Sequence, residues 1–231
     1  MRATGTATTV GACLLATAAV TGCGSGDPAR DPSARDLLDR ANAAMRRLDS
    51  VRIEYTTTTE RGGTITSRQV TDLSGRCVTT ITWSQGGRLE QIRIGETDYV
   101  RPDRAYLQRW KKDGSATAEQ RLWVRTPVTE ASAAEGLGDC PREFRSFGTV
   151  TKGETTRVGG RAARELHVVD GEPGAGTYVF SVATEGTPYV LKVVYRDDVY
   201  DTTTTFGDFD ASLDIRPPKD AEVVDGDDVR G

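Results

Sequence analysis

From Val51 onward, apolar and polar residues alternate in short runs broken by turn residues. The stretch "VRIEYTTTT" sets Val51, Ile53 and Tyr55 against Arg52, Glu54 and Thr56, the two-residue period of a half-buried strand. "CVTTITWS", "RLEQIRIG", "TDYVRP" and "RAYLQRW" follow as further β-rich segments. Between them stand "GG" at 62–63, "SG" at 74–75, "QGG" at 85–87 and "PD" at 102–103. Turn signals about every ten residues predict an antiparallel meander. The pattern changes from about Ala116 to Phe147, where Ala and Glu predict one or two short helices. Strands then resume in "GTVTKGETTRV", "RAARELHVVD", "GTYVFSVAT", "PYVLKVVYRD" and "TTTTFGDF".

A helix precedes the strands. Leu37, Leu38, Ala41, Met45 and Leu48 recur at three- and four-residue steps, with Arg35, Asp39, Arg40 and Arg46 on the other side. Ser33 is placed to cap its first turn, with Asp36 inside that turn. One apolar stripe on one helix means that the helix covers something. Hydrophobic residues make up 36% of the chain, which is thin for a closed sandwich. The expected fold is therefore α+β: a single strongly curved antiparallel sheet, a half-barrel, covered on its concave face by helices. One domain is expected over 34–218, followed by an acidic mobile tail over 219–231.

The N-terminus has a different character. In "ACLLATAAVTGCGSGDPARDP" a run of small apolar residues stops at Cys23. Arg2 supplies a positive n-region and Val10 to Val20 a short h-region, so residues 1–22 are predicted to be a signal peptide. An apolar run of about eleven residues is too short to cross a hydrocarbon layer of ~30 Å as a helix. The string Val20-Thr21-Gly22-Cys23 resembles the bacterial lipobox, in which the cysteine is acylated after cleavage. The alternative is an ordinary secretory signal with an incidental cysteine. Residues 23–33 then comprise the acylated Cys23 and a proline-broken tether, which places the domain at the extracytoplasmic face of a cell membrane.

Cysteine usage agrees with export. Of 4 Cys, Cys13 leaves with the signal and Cys23 is acylated, leaving Cys77 and Cys140. An oxidising compartment favours a disulfide between these two over a pair of unrelated buried thiols. The net charge of −4, from 30 basic and 34 acidic residues, is spread along the chain, without the basic stripe a nucleic-acid partner requires.

Candidate chemistry is sparse. The single histidine, His167, sits in the strand "ELHVVD", facing solvent or packed within the sheet. Neither C-x-x-C nor H-x-x-x-H occurs, and "GEPGAG" lacks the lysine-serine ending of a phosphate loop. No enzymatic activity, cofactor or metal is expected. The threonine runs "YTTTTERG" at 55–62 and "YDTTTTFG" at 200–207 suit exposed strand faces and are also candidate O-glycan acceptors. Trp83 and Trp110 read as core. Trp123, in "QRLWVRTP", reads as core or as the mouth of a pocket shared with Leu122, which makes Leu122 and Trp123 the candidate ligand-binding residues.

The second half carries three loose motifs. Gly153, Val158 and Gly160 approximate a G-x-x-x-V-x-G turn before a strand. Thr184, Gly186, Pro188, Tyr189, Leu191 and Lys192 match a hairpin of the form T-x-G-x-P-Y-x-L-K. Pro217 and Pro218 form a proline pair after the last strand. With the order helix, meander, insertion and second meander, these motifs resemble the LolA/LppX-like (LppX/LprG-type) lipoproteins of actinobacteria. The resemblance implies a half-barrel wrapped over helices, with a cavity between them for acyl chains. Membrane attachment through Cys23, with a lipid or lipoprotein cargo, is the leading expectation. An envelope-stress sensor or protein-interaction lipoprotein with no lipid cargo is the alternative.

Overall fold

The computed structural model describes residues 31–59, 63–110, 122–130, 137–171 and 175–226. Cys23, the signal segment and most of the tether lie outside the described residues, as does the end of the chain from Asp227.

The helix α1 (Ala34–Met45) begins where the cap residue stands. Ser33 Oγ accepts from the Asp36 N–H at 3.1 Å, and the Asp36 carboxylate accepts from the Ser33 N–H at 3.2 Å. Two otherwise unpaired donors of the first turn are thereby satisfied. The apolar stripe is buried through Leu38, Ala41 and Met45, each without solvent exposure.

Five strands follow: β1 (Val51–Thr59), β2 (Thr64–Thr71), β3 (Arg76–Trp83), β4 (Arg88–Ile94) and β5 (Thr97–Pro102). Next come α2 (Arg104–Trp110) and β6 (Trp123–Pro127). The second meander is β7 (Thr149–Val158), β8 (Arg161–Val169), β9 (Thr177–Ala183), β10 (Val190–Arg196) and β11 (Tyr200–Gly207), and β12 (Val223–Asp225) ends the series. Among the described residues, these twelve strands form one open sheet in the order β12-β6-β5-β4-β3-β2-β1-β11-β10-β9-β8-β7. Every pairing is antiparallel except β12 on β6. The two meanders meet at β1 and β11, where the threonine runs lie side by side: Thr56 opposes Thr203 and Thr57 opposes Thr202. Thr57 and Thr202 share a 2.6 Å hydroxyl hydrogen bond.

Strand register separates two faces. Ile53, Leu166, Val168, Phe180 and Val182 point to the same side and close on Leu38, Ala41 and Met45 of α1 in the main core. By continuous register, Ile65, Ile81 and Leu89 share that side, and Tyr106 of α2 packs on them. Both helices therefore sit on one face.

Three expectations need correction. "RAYLQRW" is helical, not a strand: Asp103 accepts from the Tyr106 N–H at 2.7 Å, capping the turn. Within the insertion, "WVRTP" is β6, because Tyr99 and Val100 of β5 supply ladder partners. Of the expected mobile tail over 219–231, Val223–Asp225 form β12 instead, held by Asp225 on Arg125 at 2.7 and 2.9 Å, and the part from Asp227 lies outside the described residues.

Candidate functional site

A cavity between helices and sheet is the first place to look for a ligand. On the helix-bearing face of β2–β5, beside the buried Ile81 and Leu89, six buried side chains are polar: Gln69, Thr71, Thr79, Gln91, Arg93 and Asp98 are each at most 8% exposed. They are also paired. Gln69 Nε2 donates to the Asp139 carbonyl at 3.0 Å, and Gln91 exchanges bonds with Gly138 at 3.2 and 3.0 Å. Thr71 Oγ1 donates to the Cys140 carbonyl at 2.7 Å. Residues 137–140 thus lie across this region as a strap, and the Cys77–Cys140 disulfide fastens it, with the two Cα atoms 5.4 Å apart. Beyond the strap, Phe144 joins the core under α1, and Arg46 donates to its carbonyl at 2.7 Å. Among the described residues, the buried polar groups of this half of the helix-bearing face are matched to one another and to the strap.

The opposite face carries a groove. An irregularity in the β9–β10 ladder between Val190 and Lys192 turns Leu191 away from α1. There Leu191 joins Ala163 and Ala183, with Val158, Tyr189 and Phe209 packed around them. Re-aiming one side chain is what a bulge does. The β7–β8 hairpin closes one wall. Its turn, Gly159–Gly160, has φ of 55° and 82°, a conformation that strongly favours glycine at both central positions. A second wall is the turn after β11, where Asp208 and Asp210 have φ of 49° and 56°, left-handed backbone that Asp tolerates better than most residues. Phe209, held between them, stacks on Tyr189 at 4.2 Å with the planes 14° apart.

The groove is open to solvent on one side and has a volume of about 420 Å³, within the range of small-molecule sites. Val158, Leu191 and Phe209 give it apolar surface, while Arg52, Glu54 and Arg161 give it charge. Arg52 lies along the floor, over Gly207, where a Cβ would come within 2.8 Å of its guanidinium. It bridges Asp208 and Glu54, each at 2.7 Å. The hydrogen bond from Arg52 lowers the Asp208 carboxyl below its ordinary value, and the same bond raises the Arg52 guanidinium.

The site residues expected from sequence lie elsewhere. Trp123 is 7% exposed on β6, with the Arg101 guanidinium 4.4 Å from its ring centroid, and Leu122 is 39% exposed beside it. Neither lines the groove, and β6 is five positions from β1 in the sheet order. His167 is exposed on β8, and a Cβ on Gly153 would meet its Nε2 at 2.3 Å, so the imidazole is seated against the neighbouring strand. Among the described residues no group of three or more His, Cys, Asp or Glu is placed to hold a metal ion. The groove residues that sequence reasoning did not single out as a site are Arg52, Arg161 and Phe209. Their neighbours Val158, Tyr189 and Leu191 were already legible as motif positions, and the fold brings both motifs to this one groove.

No family model and no curated protein matches the sequence. Solved structures do. LprF from Mycobacterium bovis aligns over 80% of this chain and 96% of its own, with a TM-score of 0.51 at 12% identity. Lipoprotein LppX from Mycobacterium tuberculosis aligns over 78% and 98%, at 0.49 and 11%. A chain of the Pseudomonas aeruginosa MucA/MucB complex aligns over 81% of this chain and 59% of its own, at 0.42 and 15%. The likeness to LprF shows a common fold, so the resemblance to LppX-type proteins holds at that level.

Proposed function

We propose that this chain is an extracytoplasmic lipoprotein, anchored through an acylated Cys23, whose LolA-like domain binds a ligand with a substantial apolar part. In this reading the sheet is a half-barrel with α1 and α2 on its concave face, and the residues 23–33 tether lets the domain stand off the membrane. The observation that carries the reading is the groove of about 420 Å³, lined on its apolar side by Val158, Leu191 and Phe209. Burial of apolar ligand surface there contributes about 0.8 kcal/mol per methylene. In this reading the ligand lies on the face opposite the helices, whereas the expectation from sequence places it between sheet and helices.

Native mass spectrometry of the chain purified from a bacterial envelope tests this. The wild-type protein is expected to retain a small molecule that Leu191→Trp, which fills the groove, does not. Empty wild-type protein that also fails to bind alkyl probes counts against the reading. The anchor has its own test: metabolic labelling with palmitate should mark the wild type and not Cys23→Ala, and label persisting in the variant removes Cys23 as the site.

A second reading, an envelope-protein partner with no lipid cargo, is favoured by the polar packing of Gln69, Gln91, Arg93 and Asp98 under the strap. Polar side chains already paired in this way offer acyl cargo little apolar lining. Chemical crosslinking in intact cells separates the two, because only the partner reading predicts one stoichiometric adduct with an empty groove.

A further inference from the structure

Arg161 opens β8 directly after the Gly159–Gly160 turn, and its guanidinium lies over a prepared platform. It stands 5.5 Å from the ring centroid of Phe209 and 6.0 Å from that of Tyr189, within reach of the attraction between a cation and a ring face. The two rings are themselves stacked, and the left-handed Asp208 and Asp210 fix the turn that presents Phe209. Asp210 is tied further, accepting from the Asp49 N–H at 2.8 Å while its own N–H donates to the Ser50 carbonyl at 3.0 Å. The guanidinium is therefore held in place by apolar rings and not by an anion.

Among the described residues, the Arg161 guanidinium makes no ion pair or hydrogen bond, although its backbone pairs with Val158 in the β7–β8 ladder. The two carboxylates of the groove are already engaged: Glu54 and Asp208 are both held by Arg52 at 2.7 Å, and Arg68 adds a contact of 3.8 Å to Glu54. The charged lining is balanced, Arg52 and Arg161 against Glu54 and Asp208, but Arg52 holds both carboxylates, so Arg161 is the cation left without a carboxylate partner, and its fork of N–H donors suits a carboxylate or a phosphate. Behind it lie Val158, Leu191 and Phe209. A volume of about 420 Å³ holds roughly fourteen groups the size of a water or methylene, at about 30 Å³ each. That accommodates one alkyl chain of moderate length.

We propose that the groove binds a single-chain anionic amphiphile, with Arg161 taking its carboxylate or phosphate head and Leu191 and Phe209 its chain. This rests on the groove being the ligand site, and the test separates the two claims. Calorimetric titration of the full chain would compare decyl phosphate, decanoate, uncharged decanol and inorganic phosphate. Both amphiphilic anions are expected to bind at least about tenfold more tightly than decanol. Arg161→Gln, at an exposed turn position, should remove about ten- to a hundredfold of affinity for the anions while leaving decanol unchanged.

Equal binding of decanol and decyl phosphate by the wild type, or a preference that survives Arg161→Gln, overturns the role of Arg161 and leaves the groove as an apolar site. Inorganic phosphate binding as tightly as decyl phosphate overturns the amphiphile. Failure of every probe to bind the wild type removes the groove itself as the site.

Discussion

Arg93 and Asp98 face each other across β4 and β5 and are joined by two parallel hydrogen bonds, Nε to Oδ1 at 2.8 Å and Nη2 to Oδ2 at 2.7 Å. Asp98 has no solvent exposure and the Arg93 side chain 7%. Gln91 donates to Asp98 as well, at 2.8 Å, and Arg93 reaches the exposed Asp139 of the strap at 3.0 Å. The pair locks the register of two strands and anchors the segment that covers them. Its hydrogen bond to Asp98 raises the Arg93 guanidinium, so the site is occupied by charge at every ordinary pH.

Removing one member strands the other. Asp98→Ala should destabilise the domain by about 3–5 kcal/mol, because a buried guanidinium loses its carboxylate. The double change Arg93→Met with Asp98→Val should cost far less than the sum of the single changes, since apolar groups of similar size need no partner. Urea denaturation of wild type, Asp98→Ala, Arg93→Met, Asp98→Val and the double variant measures both quantities, and additive effects in the cycle would contradict the coupling.

The disulfide makes a separate prediction. Cys77 and Cys140 are 63 residues apart in sequence, and closing a loop of that length stabilises by about 4 kcal/mol on the chain-entropy model. Cys77→Ala with Cys140→Ala should lose an amount of that order, and wild type denatured under reductant should match it. Reductant that leaves the midpoint unchanged would contradict the strap's role.

Acid acts at the β2–β3 turn. Burial alone would raise the Asp72 carboxyl, but its hydrogen bonds outweigh this and hold it far below the usual carboxylate range. The donors are the backbone N–H groups of Ser74, Gly75 and Arg76 at 3.0, 2.9 and 2.8 Å, and Arg76 Nε at 2.9 Å. A depressed folded-state value gives stability that is fully present above the unfolded value of about 3.9 and is lost as pH falls below it toward the folded value. Asp72→Asn should therefore be about 1–2 kcal/mol less stable than wild type at pH 7, with the gap narrowing below about pH 4. A gap that is constant from pH 7 to pH 2.5 would contradict this assignment.

How much of this was legible in the sequence depends on whether a signal was local. Ser33 and Asp36 sit three residues apart and mark the start of α1 unaided. The alternation of Val51, Ile53 and Tyr55 gives β1 directly. "RAYLQRW" misleads because Tyr106 and Leu107 fit a strand as readily as one turn of helix, and only the Asp103 cap decides between them. β12 is three residues long and exists because β6 offers it an edge, a long-range fact with no local pattern. The groove was half visible. Val158, Tyr189 and Leu191 stood out as motif positions, but Arg52 and Phe209 reach it from 106 and 51 positions beyond Val158 in either direction of the chain only through the β1–β11 pairing, in which Arg52 opposes Gly207. Trp123 drew notice for its size, yet Arg101 covers it.

The most direct test of the groove as the ligand site is a crystal structure of the chain with a terminally brominated decyl phosphate, in which anomalous scattering locates the bromine. The account predicts bromine density beside Leu191 and Phe209, with the phosphate on Arg161. Bromine density between α1 and the sheet, with the groove empty, would contradict it.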